Sequence, residues 1–240
     1  MKNAVVLCSG GLDSVVTSYY VKNKLNYDKI IILFFDYGQR NIKKERDCSK
    51  RCARNIKAKF IEIKLDFLSK ISTSSLNINK KVKKIKRKEL ADSTLESFNW
   101  YVPSRNLIFL SYAISLCESF YIKRKEIYDV FVGFKNEGKE SYPDTSKQFL
   151  DNLNKISKLS TLSKNKIYAP LINKDKEDII ILGKKLGVDF NNTFSCYNNF
   201  NNHCGYCLSC RLRQEGFYWA NLKDKTLYKS KMKDYITGHK

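Results

Sequence analysis

Asn3-Ala4-Val5-Val6-Leu7-Cys8-Ser9-Gly10-Gly11-Leu12-Asp13-Ser14 is the stretch on which the fold turns. Its first six residues form a short apolar run that stops at Ser-Gly-Gly, the pattern of a buried strand entering a turn. From Leu12 to Tyr27 apolar residues recur at helical spacing, so the turn opens a helix. Lys29 to Phe35 (K-I-I-I-L-F-F) is β-branched and aromatic, a second buried strand, and Asp36 to Arg40 is the turn after it. Ile42 to Ile56 reads as a helix, and Lys59 to Leu65 alternates as a strand. Strand, helix, strand, helix, strand with buried strands predicts an α/β fold with a doubly wound parallel sheet. Ligands of such sheets bind at the carboxyl ends of the strands.

Further along, Ser69 to Asn99 is less regular, and Lys80 to Lys88 carries seven cations in nine residues. Such a run is expected to be a solvated or mobile face, with a phosphate-binding lid as the functional alternative. Ser104 is placed to cap a helix over Leu107 to Phe120. Ile127 to Phe134 reads as a strand, Asp144 to Leu159 as a helix, Lys166 to Ala169 as a short strand, and Asp175 to Leu186 as a helix ending at Gly187. Leu208 to Leu222 is a helix that leaves a cysteine cluster, and a cationic tail follows. The expected organisation is a nucleotide domain over residues 1–190 and a small C-terminal metal-binding lobe with its tail over 191–240.

With 240 residues, 42% of them hydrophobic, the chain can bury about 70–75% of its unfolded surface in a real core. No stretch of roughly 18 apolar residues is present, and the N-terminal run is too short for a signal peptide, so a cytoplasmic protein with no membrane association is expected. The formal charge is +21. A nucleic-acid partner would explain it, but Lys outnumbers Arg 36 to 9, and Asn and Ile each occur 21 times. That is the mark of AT-rich codons, whereas nucleic-acid sites favour arginine. The codon explanation is preferred.

Ser9-Gly10-Gly11-Leu12-Asp13-Ser14 lies where a phosphate loop must lie, between a strand and a helix. Its glycines let the backbone approach an anion, its serines donate hydroxyls, and the helix start supplies N–H groups. It has no G-K-[ST] and no G-x-G-x-x-G, which excludes a Walker loop and a dinucleotide fingerprint.

Cys196, Cys204, Cys207 and Cys210 fall within fifteen residues, around His203-Cys204-Gly205-Tyr206-Cys207. Four thiolates suit a closed tetrahedral Zn²⁺ site; an iron–sulfur cluster is the rival. His203 is poorly placed to share a metal with its neighbour. Cys8, Cys48, Cys52 and Cys117 are scattered and read as small buried hydrophobes. The absence of a secretion signal favours reduced thiols over disulfides.

The string S-G-G-x-D-S resembles the PP-loop of the ATP pyrophosphatase superfamily, whose adenine nucleotide α-hydrolase-like fold and AMP-transferring chemistry it therefore implies. With the cysteine cluster, the chain resembles the 7-cyano-7-deazaguanine synthase family. The likeness is carried by Asp36-Tyr37-Gly38-Gln39-Arg40, Tyr101 to Leu110 (Y-V-P-S-R-N-L-I-F-L), Tyr142-Pro143-Asp144, Ala169-Pro170-Leu171 with Lys174 and Lys176, Thr193 to Tyr197, and His203 to Arg213. It implies an ATP-dependent ligase that turns 7-carboxy-7-deazaguanine and ammonia into 7-cyano-7-deazaguanine in queuosine or archaeosine biosynthesis, as a homodimer. By that resemblance Cys8, Ser9, Gly10, Gly11, Leu12, Asp13, Ser14 and Arg40 bind ATP, with Asp13 on Mg²⁺. Asp13 and Arg105 are the catalytic candidates; Arg105, Tyr142 and Asp144 face the substrate; and Cys196, Cys204, Cys207 and Cys210 hold zinc. For Arg105 a helix-start ion pair is the plain alternative.

The chain departs from the family at Gly138 to Ser146, where the acid, the Ser-Gly pair and the arginine of a common D-x-S-G-Y-P-D-C-R segment are missing. The segment looks closer to an archaeal-type branch. The departure keeps open a relative that joins the deazaguanine carboxylate to another amine, such as a protein. A PP-loop tRNA thiolase and a basic zinc-ribbon nucleic-acid module are the more distant alternatives. The first needs a labile cysteine near the loop, and the second leaves the loop unexplained.

Overall fold

The computed structural model describes residues 2–78, 81–135 and 142–230. Strands β1 (Asn3–Leu7), β2 (Lys29–Asp36), β3 (Lys59–Lys64), β4 (Tyr128–Phe131) and β5 (Ile167–Tyr168) form a parallel sheet in the order β3-β2-β1-β4-β5. The chain lays down β1, β2 and β3 toward one edge, then returns to the other side of β1 for β4 and β5. Strand order therefore reverses between β1 and β4, and a crevice opens there at the carboxyl ends.

Alternation along β1 divides the interior into two cores. Ala4, Val6 and Cys8 face one core with Ile32 and Phe131, while Val5 and Leu7 face the other with Leu33 and Val130. Helices α1 (Leu12–Asn23) and α2 (Ile42–Asn55) supply Val16 and Cys52 to the first core. Helices α3 (Asp66–Ile71), α5 (Arg105–Arg124) and α6 (Lys147–Ser160) supply Leu68, Leu110 and Leu150 to the second. A short α4 (Thr94–Phe98) precedes α5. The first core also takes Ile180 from α7 (Lys176–Lys185) and Phe217 from α8 (Leu208–Trp219). Helices on both faces of a parallel sheet are the doubly wound architecture expected. The main core runs unbroken across residue 190, because Phe190 and Phe217 pack edge to face at 5.2 Å.

Three local expectations change. The helix read from Asp144 is a 3₁₀ turn over Pro143–Thr145, followed by α6, whose cap is Ser146 accepting the Phe149 N–H at 3.1 Å. Helix α1 stops at Asn23, short of Tyr27. Ser104 precedes α5 with a left-handed backbone (φ 52) and no capping bond from its side chain. The cap comes from a distance: the buried Asp144 carboxylate accepts the Asn106 backbone N–H at 3.0 Å and its side-chain amide at 3.2 Å. A carboxylate at a helix start is favoured by the orphan N–H groups and the dipole. Asp144→Ala is therefore expected to lower stability by about 1–3 kcal/mol, measured by urea unfolding.

The lysine-rich run presents a solvated face, held by two apolar anchors. Val82 and Ile85 are buried, the Ile85 N–H donates to the Tyr206 carbonyl at 2.8 Å, and Arg211 Nε donates to the Ile85 carbonyl at 3.0 Å. The apolar residues at every third position point inward, so Lys81, Lys84 and Lys86 are left outside. Lys80, the first part of the departing stretch (Gly138 to Ser141) and the last ten residues of the tail lie outside the described residues. No helix among the described residues is long and apolar enough to cross a membrane.

Candidate active site

The phosphate loop sits at the strand-order reversal. Gly10 has φ +78, and a Cβ there would come within 2.5 Å of the Glu45 carbonyl oxygen, so only glycine lets the loop lie against α2. The Gly10 carbonyl accepts the Phe194 N–H at 2.9 Å. Gly11 is the residue before α1, and no side chain caps that helix, so its first-turn N–H groups are turned toward the crevice. Ser14 Oγ donates to the Gly11 carbonyl at 3.0 Å and lies 3.3 Å from Ser9 Oγ, which brings both hydroxyls to one spot. Both carboxylate oxygens of Asp13 are 2.7 Å from Nζ of Lys176.

These groups open on a cavity of about 340 Å³. Cys8, Ser9, Gly11, Leu12, Asp13, Ser14, Arg105 and Tyr142 line it, together with Lys176. Gly10 does not; its contribution is the close approach to α2. Asp144 does not line it either; its carboxylate holds the start of α5. Arg40 also falls elsewhere, in a separate depression with Lys81, Lys83 and Lys84. No residue of the lysine-rich run lines the phosphate cavity among the described residues, which leaves the lid expectation without support.

The rest of the lining is largely aromatic and adds one charge of each sign, Glu45 and Arg105. Phe35 and Phe109 stack at 4.1 Å, as do Trp100 and Tyr197. Tyr101 stacks on Tyr142, whose hydroxyl donates to the Ser97 carbonyl at 2.7 Å. Arg105 Nη1 donates to the Tyr37 hydroxyl at 3.1 Å. Glu45 also faces the cavity, and burial pushes its carboxyl up to about 7 against the opposing pull of Gln39 and Arg105.

Lys176 and Glu45 stand in the cavity without having been singled out for a role in the sequence. Lys176 had a signal: it is the first residue of α7, where the helix dipole disfavours a cation. Its partner is the acid of the phosphate loop. Glu45 had none, because on the polar helix α2 it resembles any surface acid.

The four Sγ atoms of Cys196, Cys204, Cys207 and Cys210 lie within 4.8 Å of one another, and all four residues are buried. One ion bonded at about 2.3 Å to each would set its sulfurs roughly 3.8 Å apart; Cys204 and Cys210 are at 3.9 Å. An iron–sulfur cluster spreads its thiolates over several irons and needs them farther apart. Backbone N–H groups point at the sulfurs, among them Cys204 to Cys196 at 3.2 Å and Cys207 to Cys204 at 3.3 Å. Such bonds favour thiolates. The donor set therefore fits a single soft cation such as zinc. His203 is not a ligand: its Nε2 accepts the Ser195 N–H at 3.1 Å, and burial pushes its pKa down to about 3, so it is neutral.

A parallel sheet with an S-G-G-x-D-S loop at its reversal point, answered across the crevice by a lysine, defines a PP-loop protein. Within that class the chain belongs to the family described as Queuosine biosynthesis protein QueC, whose pattern matches residues 3–221. The 7-cyano-7-deazaguanine synthase of Methanosphaera stadtmanae is 37% identical over 229 residues, covering 94% of this chain and 97% of the relative. That of Nitratiruptor sp. is 39% identical over 231 residues, covering 95% and 99%. Among solved structures, NMN synthetase from Francisella tularensis matches 92% of this chain and 84% of its own at 16% identity, with a TM-score of 0.41.

Proposed function

We propose that this chain is an ATP-dependent ligase that converts 7-carboxy-7-deazaguanine and ammonia into 7-cyano-7-deazaguanine, releasing AMP and pyrophosphate. The observation that carries the reading is a phosphate loop and an aromatic, oppositely charged pocket opening on one cavity, in a chain of this family. A carboxylate is a poor electrophile and must be activated. Its oxygen attacks the α-phosphorus of ATP, giving an acyl adenylate and pyrophosphate. Ammonia displaces AMP to give the amide. The amide oxygen is adenylated by a second ATP with release of pyrophosphate, and loss of AMP and both nitrogen protons leaves the nitrile.

The protein's contribution is positioning and charge stabilisation. Ser9, Ser14 and the first-turn N–H groups of α1 hold the phosphates. Lys176 is the cation for the pyrophosphate that leaves. Asp13, an oxygen donor within the loop, would hold Mg²⁺, which neutralises phosphate charge when bound. Cys196, Cys204, Cys207 and Cys210 would hold zinc in a structural role, closed to substrate.

Incubation with the carboxylate, ammonium, ATP and Mg²⁺ should yield AMP, pyrophosphate and the nitrile, identified by mass spectrometry. A product that stops at the amide, or appears as a protein adduct, would overturn the nitrile assignment and leave the adenylating chemistry in place.

A further inference from the structure

Phosphate binding gives Glu45 no task, yet its carboxylate faces the same cavity. Gln39 orients it. The Gln39 Oε1 accepts the Tyr37 N–H at 2.9 Å, which turns Nε2 toward the Phe35 carbonyl at 3.0 Å and Glu45 Oε2 at 3.1 Å. Gln39 is 2% exposed, so it offers Glu45 a fixed donor and Glu45 answers as an acceptor. A partly buried carboxylate is costly unless donors satisfy it. One oxygen has Gln39; a ligand with adjacent N–H groups would complete the set. The neighbouring charge is Arg105, whose guanidinium lies 5.5 Å from the Tyr37 ring centroid. The stacked aromatics beside them suit a flat heterocycle.

Resting on the substrate proposed above, we infer that Glu45 and Arg105 read the pyrimidine edge of the deazaguanine ring. Glu45 accepts from the ring N–H and the exocyclic amino group, and Arg105 donates to the adjacent ring carbonyl. That edge runs acceptor, donor, donor, and a cation beside a carboxylate is its complement. Adenine offers a donor beside an acceptor, which a carboxylate accepting at both oxygens does not match. The pair therefore also keeps the base of ATP out of this part of the cavity.

The test is steady-state pyrophosphate release by wild type and Glu45→Gln, with the natural carboxylate and with its analogue lacking the exocyclic amino group. Loss of a hydrogen-bonded carboxylate should raise the KM for the natural substrate about 100-fold and leave the KM for ATP within twofold. The unchanged ATP KM also reports that the variant is folded. Wild type should lose a similar factor on the analogue. Glu45→Gln should lose little more on the analogue, because both changes remove the same bond. Additive losses, an unchanged substrate KM, or a rise confined to ATP would each overturn the assignment. Wild type that releases no pyrophosphate with the natural carboxylate would instead remove the substrate reading itself, and this proposal with it.

Discussion

Asp13→Ala is expected to lower AMP formation at least 10³-fold, equivalent to about 4 kcal/mol of lost stabilisation in the adenylation step. The carboxylate stands in the first turn of α1, beside the hydroxyls of Ser9 and Ser14, and forms a two-oxygen ion pair with Lys176 at 2.7 Å. That pair sets the geometry of the loop before nucleotide arrives. Triphosphate brings more negative charge than one lysine can balance. On the proposed reading Asp13 would hold a divalent ion that neutralises phosphate charge, leaving Lys176 for the phosphates. Alanine would remove the proposed ligand of the ion and the group that aims Lys176. Asp13→Asn keeps the shape but not the charge, so it should be nearly as inactive. The measurement is AMP by chromatography at saturating ATP and substrate, with a thermal melt as control for folding. Turnover within tenfold of wild type would remove the Mg²⁺ assignment. Lys176→Met should fall less far, because the helix start and the ion still hold the phosphates.

The strands were legible because their burial is continuous: Ala4 to Leu7 and Ile30 to Phe35 are all buried, and only the interior of a parallel sheet needs such runs. The loop was legible because its chemistry is local, held within Ser9 to Ser14. The less legible residues act across the chain. Asp144 caps a helix that begins 39 residues earlier, and no pattern within one helix carries that fact. Lys176 meets an acid 163 residues away. Arg40 belongs to a turn that reaches the crevice, yet its side chain leaves on the other side with the lysine-rich segment. That segment reads as solvated because seven of its nine residues are cations. Its two apolar residues decide its place, since Val82 and Ile85 are buried and Val82 packs with the cysteine cluster. Charge density described the outside of the segment and said nothing of its anchor.

The cysteine cluster predicts the second large effect, and it couples stability to catalysis. Cys207→Ser is expected to remove the bound metal and lower the melting temperature by more than about 10 °C, because a structural zinc site in zinc-finger peptides contributes about 10–16 kcal/mol to folding. Cys207 has two tasks: its sulfur is a proposed ligand, and it caps α8 by accepting the Cys210 N–H at 3.5 Å. Around the four cysteines pack Val82, Trp100 and Phe194, so a metal held there would stand at the centre of a third small core. The residues around the cluster also form a wall of the phosphate-loop cavity, which Ser195, Cys196, Tyr197 and Ser209 line. The link to the phosphate loop is direct, through the Phe194 N–H on the Gly10 carbonyl at 2.9 Å. α8 in turn packs on α7, where a side chain added at Gly216 would strike Lys176 at 2.3 Å. Metal loss should therefore disturb the loop and its lysine together, and a strong chelator should abolish pyrophosphate release as the melting temperature falls. Elemental analysis of the purified protein should give one zinc per chain in wild type and markedly less in the variant. Iron with acid-labile sulfide would overturn the zinc assignment, and an unchanged melting temperature in a metal-free variant would overturn its structural role.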